Sequence, residues 1–326
     1  MRIEPTRRDF LRRSAAAAGA LLCANRSLFA QQTAQSQEPA AAAAPGLIQS
    51  MHAAGAITQI KTTRLTDTLF LLQGVGGNIV VYTGPDGKLM IDSSVATAAP
   101  HLREALDKLD PHPLKLLINT HWHFDHTDGN AAMHDAGAFI IAQENTRLRL
   151  SAKQTIKILN VTFPPAPNSA LPQETFEDKQ TLFYNNGELH MVHTPNAHTD
   201  SDMYIHFVNA DVIHAGDLWF NGMYPLIDGE SGGTVNGMIR GVDELIALAD
   251  DKTKIVPGHG PLGDKAGLTI YREMLTTVAN RIEKLKIAGQ SLEQVIAQKP
   301  TADLDAAWGK GNLKPDMFVT VVYNTL

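Results

Sequence analysis

Short apolar runs separated by turn residues follow one another from about residue 57 onward. Residues 69–72, 78–82 and 88–91 are rich in branched and other large apolar side chains, and glycine-rich turns separate these runs. Runs of this length, bounded by glycine, proline and aspartate, are typical of β-strands. The pattern therefore predicts an antiparallel meander of three strands at the start of the folded region.

Further along, the apolar spacing alternates between helix-like and strand-like. Apolar side chains three and four positions apart predict amphipathic helices over 100–109, 238–246 and 271–285. Shorter helices are predicted near 130–135 and 144–153, and further strands over 114–119, 139–141, 189–193, 203–208 and 212–215. Strands followed by helices, twice over, favour two sheets packed face to face with helices on their outer sides.

Three histidines and one aspartate fall within six positions directly after the predicted strand 114–119, at His121, His123, Asp125 and His126. Imidazole nitrogen and carboxylate oxygen are the donors that a borderline-soft divalent cation prefers. The alternative is a polar loop that happens to be rich in histidine, but such a loop need not follow so apolar a strand. The pattern predicts a metal site that can serve two adjacent ions.

This H-x-H-x-D-H signature resembles that of the metallo-β-lactamase superfamily, and the resemblance extends over most of the chain after about residue 60. It implies an α/β fold, a four-layer αββα sandwich formed by residues 57–326. It also implies three later metal ligands, His198, Asp217 and His259. By this resemblance one metal is held by His121, His123 and His198, its neighbour is held by Asp125, His126 and His259, and Asp217 bridges the two.

The resemblance further implies a hydrolase in which a hydroxide shared by two metals attacks a carbonyl carbon of an amide, lactone, ester or β-lactam. Asp125 is then a catalytic residue as well as a ligand, because its carboxylate can deliver a proton to the leaving group. Asp92, which follows the run 88–91, is expected to orient a ligating histidine. The expected cofactors are two Zn²⁺ ions per chain, although Fe or Mn suits the same donors.

Three other functions stay open from the sequence. The chain could be a genuine metallo-β-lactamase that hydrolyses β-lactam antibiotics, an iron-dependent persulfide oxygenase, or a periplasmic protein that binds metal without catalysis. True metallo-β-lactamases usually present a cation just after the fifth ligand to hold the substrate carboxylate. Residues 218–239 of this chain contain no Lys or Arg.

The same segment offers apolar and amide side chains, at Trp219, Phe220, Asn221, Met223 and Tyr224. They suit a small-molecule substrate with apolar area, and the hydroxyl of Tyr224 is a second candidate catalytic group that could meet a carbonyl. The alternative for the aromatic side chains is core packing. Residues 160–180 contain four prolines and are predicted to lack regular structure over much of their length, either as a flap beside the metals or as a surface excursion.

The N-terminus resembles an export signal. Arg7 and Arg8 precede the small apolar run 15–22, and a plausible cleavage site follows Ala30. Residues 1–30 are therefore predicted to be a twin-arginine signal that directs the protein to the periplasm or the medium, because the apolar run is too short for a membrane anchor. Residues 31–56, rich in Gln and Ala, are predicted to be a disordered tether.

Composition and charge limit the partners of the chain. With 326 residues, of which 44% are hydrophobic, it can form one large domain with ample core. Residues 1–30 carry six arginines and two acidic residues, so their removal changes the formal net charge from −6 to −10. So acidic a surface argues against a nucleic-acid substrate, and no stable membrane insertion is expected after signal removal. The sole cysteine, Cys23, lies in the predicted signal, and the oligomeric state stays open.

Overall fold

The computed structural model of the protein describes residues 46–326. The predicted signal, residues 1–30, and residues 31–45 of the predicted tether lie outside the described residues. Where the tether was predicted to continue, helix α1 spans Leu47–Gly55, so that prediction is wrong for these positions. A nine-residue helix is too short to be stable alone. It forms here because it packs against the domain, where His52 lies 2.6 Å from Asp128.

The first sheet has seven strands and begins with the predicted antiparallel meander. Its strands are β1 (Lys61–Arg64), β2 (Leu69–Gln73), β3 (Ile79–Tyr82), β4 (Lys88–Ile91), β5 (Leu114–Asn119), β6 (Phe139–Gln143) and β9 (Glu174–Phe176), in this spatial order. From β4 to β9 neighbouring strands are parallel. Buried parallel strands need apolar residues on both faces, which explains the nearly continuous apolar run of β5.

The second sheet has five strands. They are β10 (Lys179–Tyr184), β11 (Gly187–His193), β12 (Met203–Phe207), β13 (Val212–Phe220) and β14 (Lys254–His259), and only β13 and β14 pair in parallel. A separate hairpin is formed by β7 (Gln154–Ile156) and β8 (Val161–Phe163). Strands β8 and β9 therefore lie within the segment predicted to lack regular structure, and its four prolines fall between them.

Nine helices follow α1. They are α2 (Ala99–Leu109), α3 (Phe124–Thr127), α4 (Asn130–Asp135), α5 (Glu144–Leu150), α6 (Val235–Leu248), α7 (Lys265–Ile287), α8 (Leu292–Ala297), α9 (Asp305–Trp308) and α10 (Pro315–Thr325), counted over the described part of the chain. Helix α3 and the last three helices were not predicted; α3, α8 and α9 have only 4, 6 and 4 residues, too few to show a helical period. No helix in residues 46–326 is long and apolar enough to cross a membrane.

Three apolar clusters divide the molecule into four layers. Between the sheets, Leu71, Val80 and Ile91 of the first sheet meet Met191 and Ile205 of the second. The outer face of the first sheet packs against α1 and α2, and the outer face of the second packs against α6, α7 and α10. The predicted αββα sandwich is therefore confirmed.

Candidate metal centre

Most of the predicted ligands lie at or just beyond the ends of strands. His121 and His123 follow β5, and Asp125 and His126 lie in the short helix α3. His198 lies in the loop between β11 and β12, Asp217 lies within β13, and His259 is the last residue of β14. Residues that are up to 138 positions apart in the sequence are thereby brought to one place.

The donor atoms form two groups. The first group contains His121, His123, His198 and Asp217, and the second contains Asp125, His126 and His259. Within each group the nitrogen and oxygen donors lie within 4.8 Å of one another, and most of these side chains are buried. Two sets of donors with this composition suit two divalent cations.

Asp217 lies between the two groups. Its Oδ2 is 3.4 Å from Nε2 of His198 in the first group and 3.4 Å from Nε2 of His259 in the second. Its Oδ1 is 3.2 Å from Nε2 of His126. A carboxylate with nitrogen donors of both groups on its two oxygens has the position that a bridging ligand requires.

The histidines of the two donor groups differ in their protonation. Burial and the neighbouring His126 hold the pKa of His121 well below its ordinary value, and Nε2 of His121 is buried with no hydrogen-bond partner. Burial and His123 lower the pKa of His198 to about 4. Burial opposes the ionisation of Asp217, yet His259 and His126 hold its pKa well below the usual range. Burial opposes the protonation of His126 and His259, yet Asp217 raises the pKa of both. Because a metal binds neutral imidazole, binding at the second group has to displace protons from these two rings.

Two buried carboxylates orient the histidines from behind. Asp92 Oδ2 accepts a hydrogen bond from Nδ1 of His126 at 2.7 Å, as predicted, and its carboxylate also accepts from the backbone and hydroxyl of Thr120. Asp228 Oδ2 lies 3.2 Å from Nε2 of His123, which leaves Nδ1 of His123 for the metal side. Such contacts determine which ring nitrogen faces the metal. Sequence reasoning missed Asp228, because 105 positions separate it from His123.

A further buried acid supports the loop of His198. Asp202 accepts hydrogen bonds from the backbone N–H of Thr199 at 2.6 Å and from its hydroxyl at 3.0 Å. Burial raises the pKa of Asp202 to about 7. Asp200, two residues earlier, instead pairs with Arg149 at 2.6 Å. The sequence contains no signal that distinguishes the roles of these two acids.

Two glycines allow the close approach of strands to the ligands. A Cβ at Gly77 would lie 2.1 Å from Cε1 of His126, and a Cβ at Gly258 would lie 1.9 Å from Oδ1 of Asp217. Real side chains do not tolerate such distances, so any larger residue would displace a ligand. Gly77 belongs to the glycine-rich turn before β3, and its role here is to make room for an imidazole.

A cavity of about 650 Å³ opens onto the donor groups and includes His123, Asp125, Asp217 and His259 in its lining. Asp125 is the most accessible carboxylate of the cluster, with its side chain 16% exposed and its Oδ2 3.4 Å from Nε2 of His259. A substrate in the cavity can therefore reach both donor groups.

The aromatic side chains after Asp217 divide between the core and the cavity. Trp219 is fully buried in the core, whereas Phe220 lines the cavity and stacks on His259. The hydroxyl of Tyr224 donates a hydrogen bond to Asp305 at 2.9 Å, and its ring stacks on Phe318. This hydroxyl is paired with a carboxylate on the helical side, while Tyr224 also lines the cavity, so its contact with a substrate carbonyl stays a prediction.

The profile of the Metallo-beta-lactamase superfamily matches residues 72–259. This range covers more than half of the chain and includes every predicted metal ligand. The chain therefore belongs to the metallo-β-lactamase superfamily.

Curated relatives are distant. A probable metallo-hydrolase of Methanocaldococcus jannaschii is 25% identical over 185 residues, which are 54% of this chain and 84% of the relative. A hydroxyacylglutathione hydrolase of Nitrosococcus oceani is 30% identical over 159 residues, or 48% of this chain. The match spans about half of that second relative, 52% of its length.

Solved structures share the fold at low identity. A metallo-beta-lactamase from Pontibacter korlensis superposes with a TM-score of 0.56 at 17% identity, over 67% of this chain and 99% of its own. The sec-alkylsulfatase Pisa1 from Pseudomonas sp. superposes with a TM-score of 0.62 at 18% identity, over 85% of this chain and 51% of its own. These similarities define the architecture, and the substrate has to be argued from the site.

Proposed function

We propose that this protein is an exported hydrolase that uses two divalent metals to cleave a carbonyl compound such as an ester, lactone, amide or β-lactam. Zinc is the metal that we propose. The observation that carries the proposal is the position of Asp217, whose two oxygens lie within 3.4 Å of nitrogen donors from both groups. The cavity in front of this carboxylate provides room for a small molecule.

The side chains of the centre form two sets of metal ligands. His121, His123 and His198 form one face of the site, and His126, His259 and Asp125 form the other. These residues would hold two metals, and the chemistry that the metals would supply is a nucleophile derived from water and polarisation of the substrate carbonyl. No serine or cysteine nucleophile is then needed, and the described residues contain no cysteine.

We propose that Asp125 transfers a proton to the leaving group of the substrate. Its carboxylate lines the cavity, and as the most accessible acid of the centre it can meet the leaving group of a bound substrate. The same carboxylate remains a ligand of the second group, next to His259. Its position at the first turn of α3, directly after the loop that carries His123, keeps it facing the cavity.

The decisive experiment measures metal content and turnover together. Residues 31–326 are loaded separately with Zn²⁺, Fe²⁺ or Mn²⁺ and tested on β-lactams, lactones, esters, thioesters and phosphodiesters; the thioester is included because of the name of the Nitrosococcus relative. We expect about two metals per chain and hydrolysis of at least one carbonyl compound.

Other outcomes would replace the proposal. Oxygen consumption with glutathione persulfide, without hydrolysis, would identify an oxygenase. Two bound metals without any turnover would identify a metal-binding protein. Preferred cleavage of phosphodiesters would exclude a carbonyl substrate.

A further inference from the structure

The cavity in front of the donor groups is walled mainly by apolar side chains. Leu47 and Met51 come from α1, Ile158 and Leu159 from the turn between β7 and β8, and Leu313 and Met317 from the C-terminal segment. The residues of α1 and of the C-terminal segment lie outside residues 72–259, the range that matches the superfamily. Ile158 and Leu159 lie inside this range but in the β7–β8 hairpin, so none of the six belongs to a strand that carries a metal ligand.

Positive charge is absent from this wall. Within the described part of the chain, no Lys or Arg lines the cavity. The lysines next to lining residues are engaged elsewhere: Lys157 pairs with Glu230 at 3.3 Å, and Lys314 Nζ donates to the carbonyl of Gly311 at 3.1 Å. A substrate anion would lose its hydration on entering and find no side-chain cation to replace it.

The polar side chains of the lining, besides the donor groups, are Tyr224 and Asn312. The hydroxyl of Tyr224 is bonded to Asp305, which leaves the amide of Asn312 to meet a neutral polar group. An apolar wall with one amide and a metal centre at its base selects for an aliphatic chain attached to an uncharged carbonyl group.

We propose that the cavity receives the aliphatic chain of a neutral ester or lactone, and that Leu47 and Met51 of α1 determine this specificity. This inference rests on the hydrolase function proposed above and names its substrate class. Burial of each methylene group of the chain against the wall stabilises the complex by the hydrophobic effect.

Helix α1 is held in place for this role. His52 lies 2.6 Å from Asp128, two residues after the ligand His126, and the hydroxyl of Thr97 donates to the carbonyl of His52 at 2.7 Å. Gly55 at the end of α1 lies so close to Thr97 and Val95 that a Cβ there would clash at 2.6 Å. A wall fixed before the substrate arrives loses little entropy on binding.

The first test uses chain length and charge in matched substrates of the metal-loaded protein. For p-nitrophenyl acetate, butyrate and octanoate, kcat/KM should rise by about two- to fourfold per methylene group over the first few groups. The hexanoate ester should exceed the mono-p-nitrophenyl ester of adipic acid, which ends in a carboxylate, by tenfold or more. A flat profile, or preference for the adipate ester, would overturn the inference while leaving the hydrolase function intact.

The second test uses two substitutions on the same helix. Met51→Gln is nearly isosteric and uncharged, and Ala53→Gln adds the same amide to a position of α1 that is exposed and outside the cavity lining. We expect Met51→Gln to lower kcat/KM for the octanoate ester about tenfold and to change that for acetate less than twofold, at unchanged metal content. Ala53→Gln should change neither. Equal effects of both variants would remove α1 from the specificity site.

A binding measurement separates the two proposals. By calorimetry, the metal-loaded protein should bind 1-octanol at least tenfold more tightly than 1-butanol, and Met51→Gln should reduce the difference. If the protein hydrolyses none of the β-lactams, lactones, esters and thioesters but binds octanol in this way, the hydrolase proposal fails and the apolar subsite stands. If octanol binds no better than butanol, the subsite is overturned.

Discussion

At the scale of single residues, the centre is defined by how each donor is oriented. Asp217 contacts nitrogen donors of His126 and His259 in the second group and of His198 in the first. Asp92 contacts the ring nitrogen of His126 that faces away from the cluster, and Asp228 does the same for His123. These three acids are buried, and each is compensated by an imidazole. Removing one of them therefore affects the metal through the geometry of the ligands as well as through charge.

Asp217→Asn tests the bridge. The amide keeps the shape of the side chain but loses its charge, and its nitrogen cannot ligate, so we expect about one metal per chain and a fall in hydrolysis of several orders of magnitude. Asp200→Asn is the control, because Asp200 belongs to neither donor group and pairs instead with the partly exposed Arg149. We expect this substitution to lower the free energy of unfolding by about 1 kcal/mol. Two metals and near-normal turnover in Asp217→Asn would exclude the bridging role.

Asp228→Ala tests the orientation of His123. Burial opposes the ionisation of Asp228, but the hydrogen bond from His123 holds its pKa below the usual value. Without this carboxylate the imidazole of His123 loses the contact that fixes its tautomer, and metal affinity should fall by about 10- to 100-fold. Competition with a chelator of known affinity measures the change. An unaltered affinity would show that His123 is oriented by packing alone.

At the scale of elements, the strands position the ligands and the helices pack against the sheets. Helix α7 spans Lys265–Ile287 and covers the second sheet with Tyr271, Leu275 and Val278. Its first turn follows β14, which ends at the ligand His259. The helix is thus a support of the site from outside the metal-binding strands.

Asp264→Ala should weaken α7 without changing the metal centre. The side chain of Asp264 accepts a hydrogen bond from the backbone N–H of Gly267 at 2.9 Å and caps the helix. Its loss should lower the free energy of unfolding by about 1 kcal/mol, seen in a denaturant titration of the metal-loaded protein. Asp251→Ala, an exposed acid before β14, should have a smaller effect. Loss of metal in Asp264→Ala would mean that α7 positions His259 directly.

At the scale of the whole molecule, the candidate metal centre takes its donors from both sheets. His121, His123, Asp125 and His126 follow a strand of the first sheet, whereas Asp217 and His259 belong to strands of the second. Ions bound by these donors would connect the two sheets in the folded state only. Binding to the folded state alone stabilises it by mass action.

Chelation should therefore lower both the melting temperature and the activity. Metal-loaded protein treated with a chelator should unfold at lower temperature, and addition of Zn²⁺ should restore the transition. A ligand at about 100 times its Kd contributes about 2.7 kcal/mol by this mechanism. A melting temperature independent of metal would place the ions outside the folded core.

Export should depend on Arg7 and Arg8, which lie outside the described residues. The twin-arginine route recognises this pair, so changing both to Lys should leave the precursor inside the cell. Fractionation of cells that produce the wild-type and variant chains measures the distribution. Arrival of the variant in the periplasm with its signal removed would show that the segment is not a twin-arginine signal.

The sequence alone determined much of the fold and the chemical nature of the site. Strand β5, helix α4 and the meander β2–β4 agree with their apolar patterns, because periodicity is a local property that the chain carries without tertiary contacts. The donor types, three histidines and an aspartate directly after β5, are also local. They indicated a metal site before any distance was known.

Tertiary structure decided what depends on contacts between distant segments. Residues 31–56 were predicted to be a tether because they are rich in Gln and Ala. Helix α1 forms within them because its nine residues pack on the surface that His52 and Gly55 meet. The hydroxyl of Tyr224, predicted to meet a substrate, also bonds to Asp305, which is 81 positions away. Asp228 and the apolar wall of the cavity depend on similarly long separations. Such pairings are determined by how the layers pack, and local sequence patterns do not encode them.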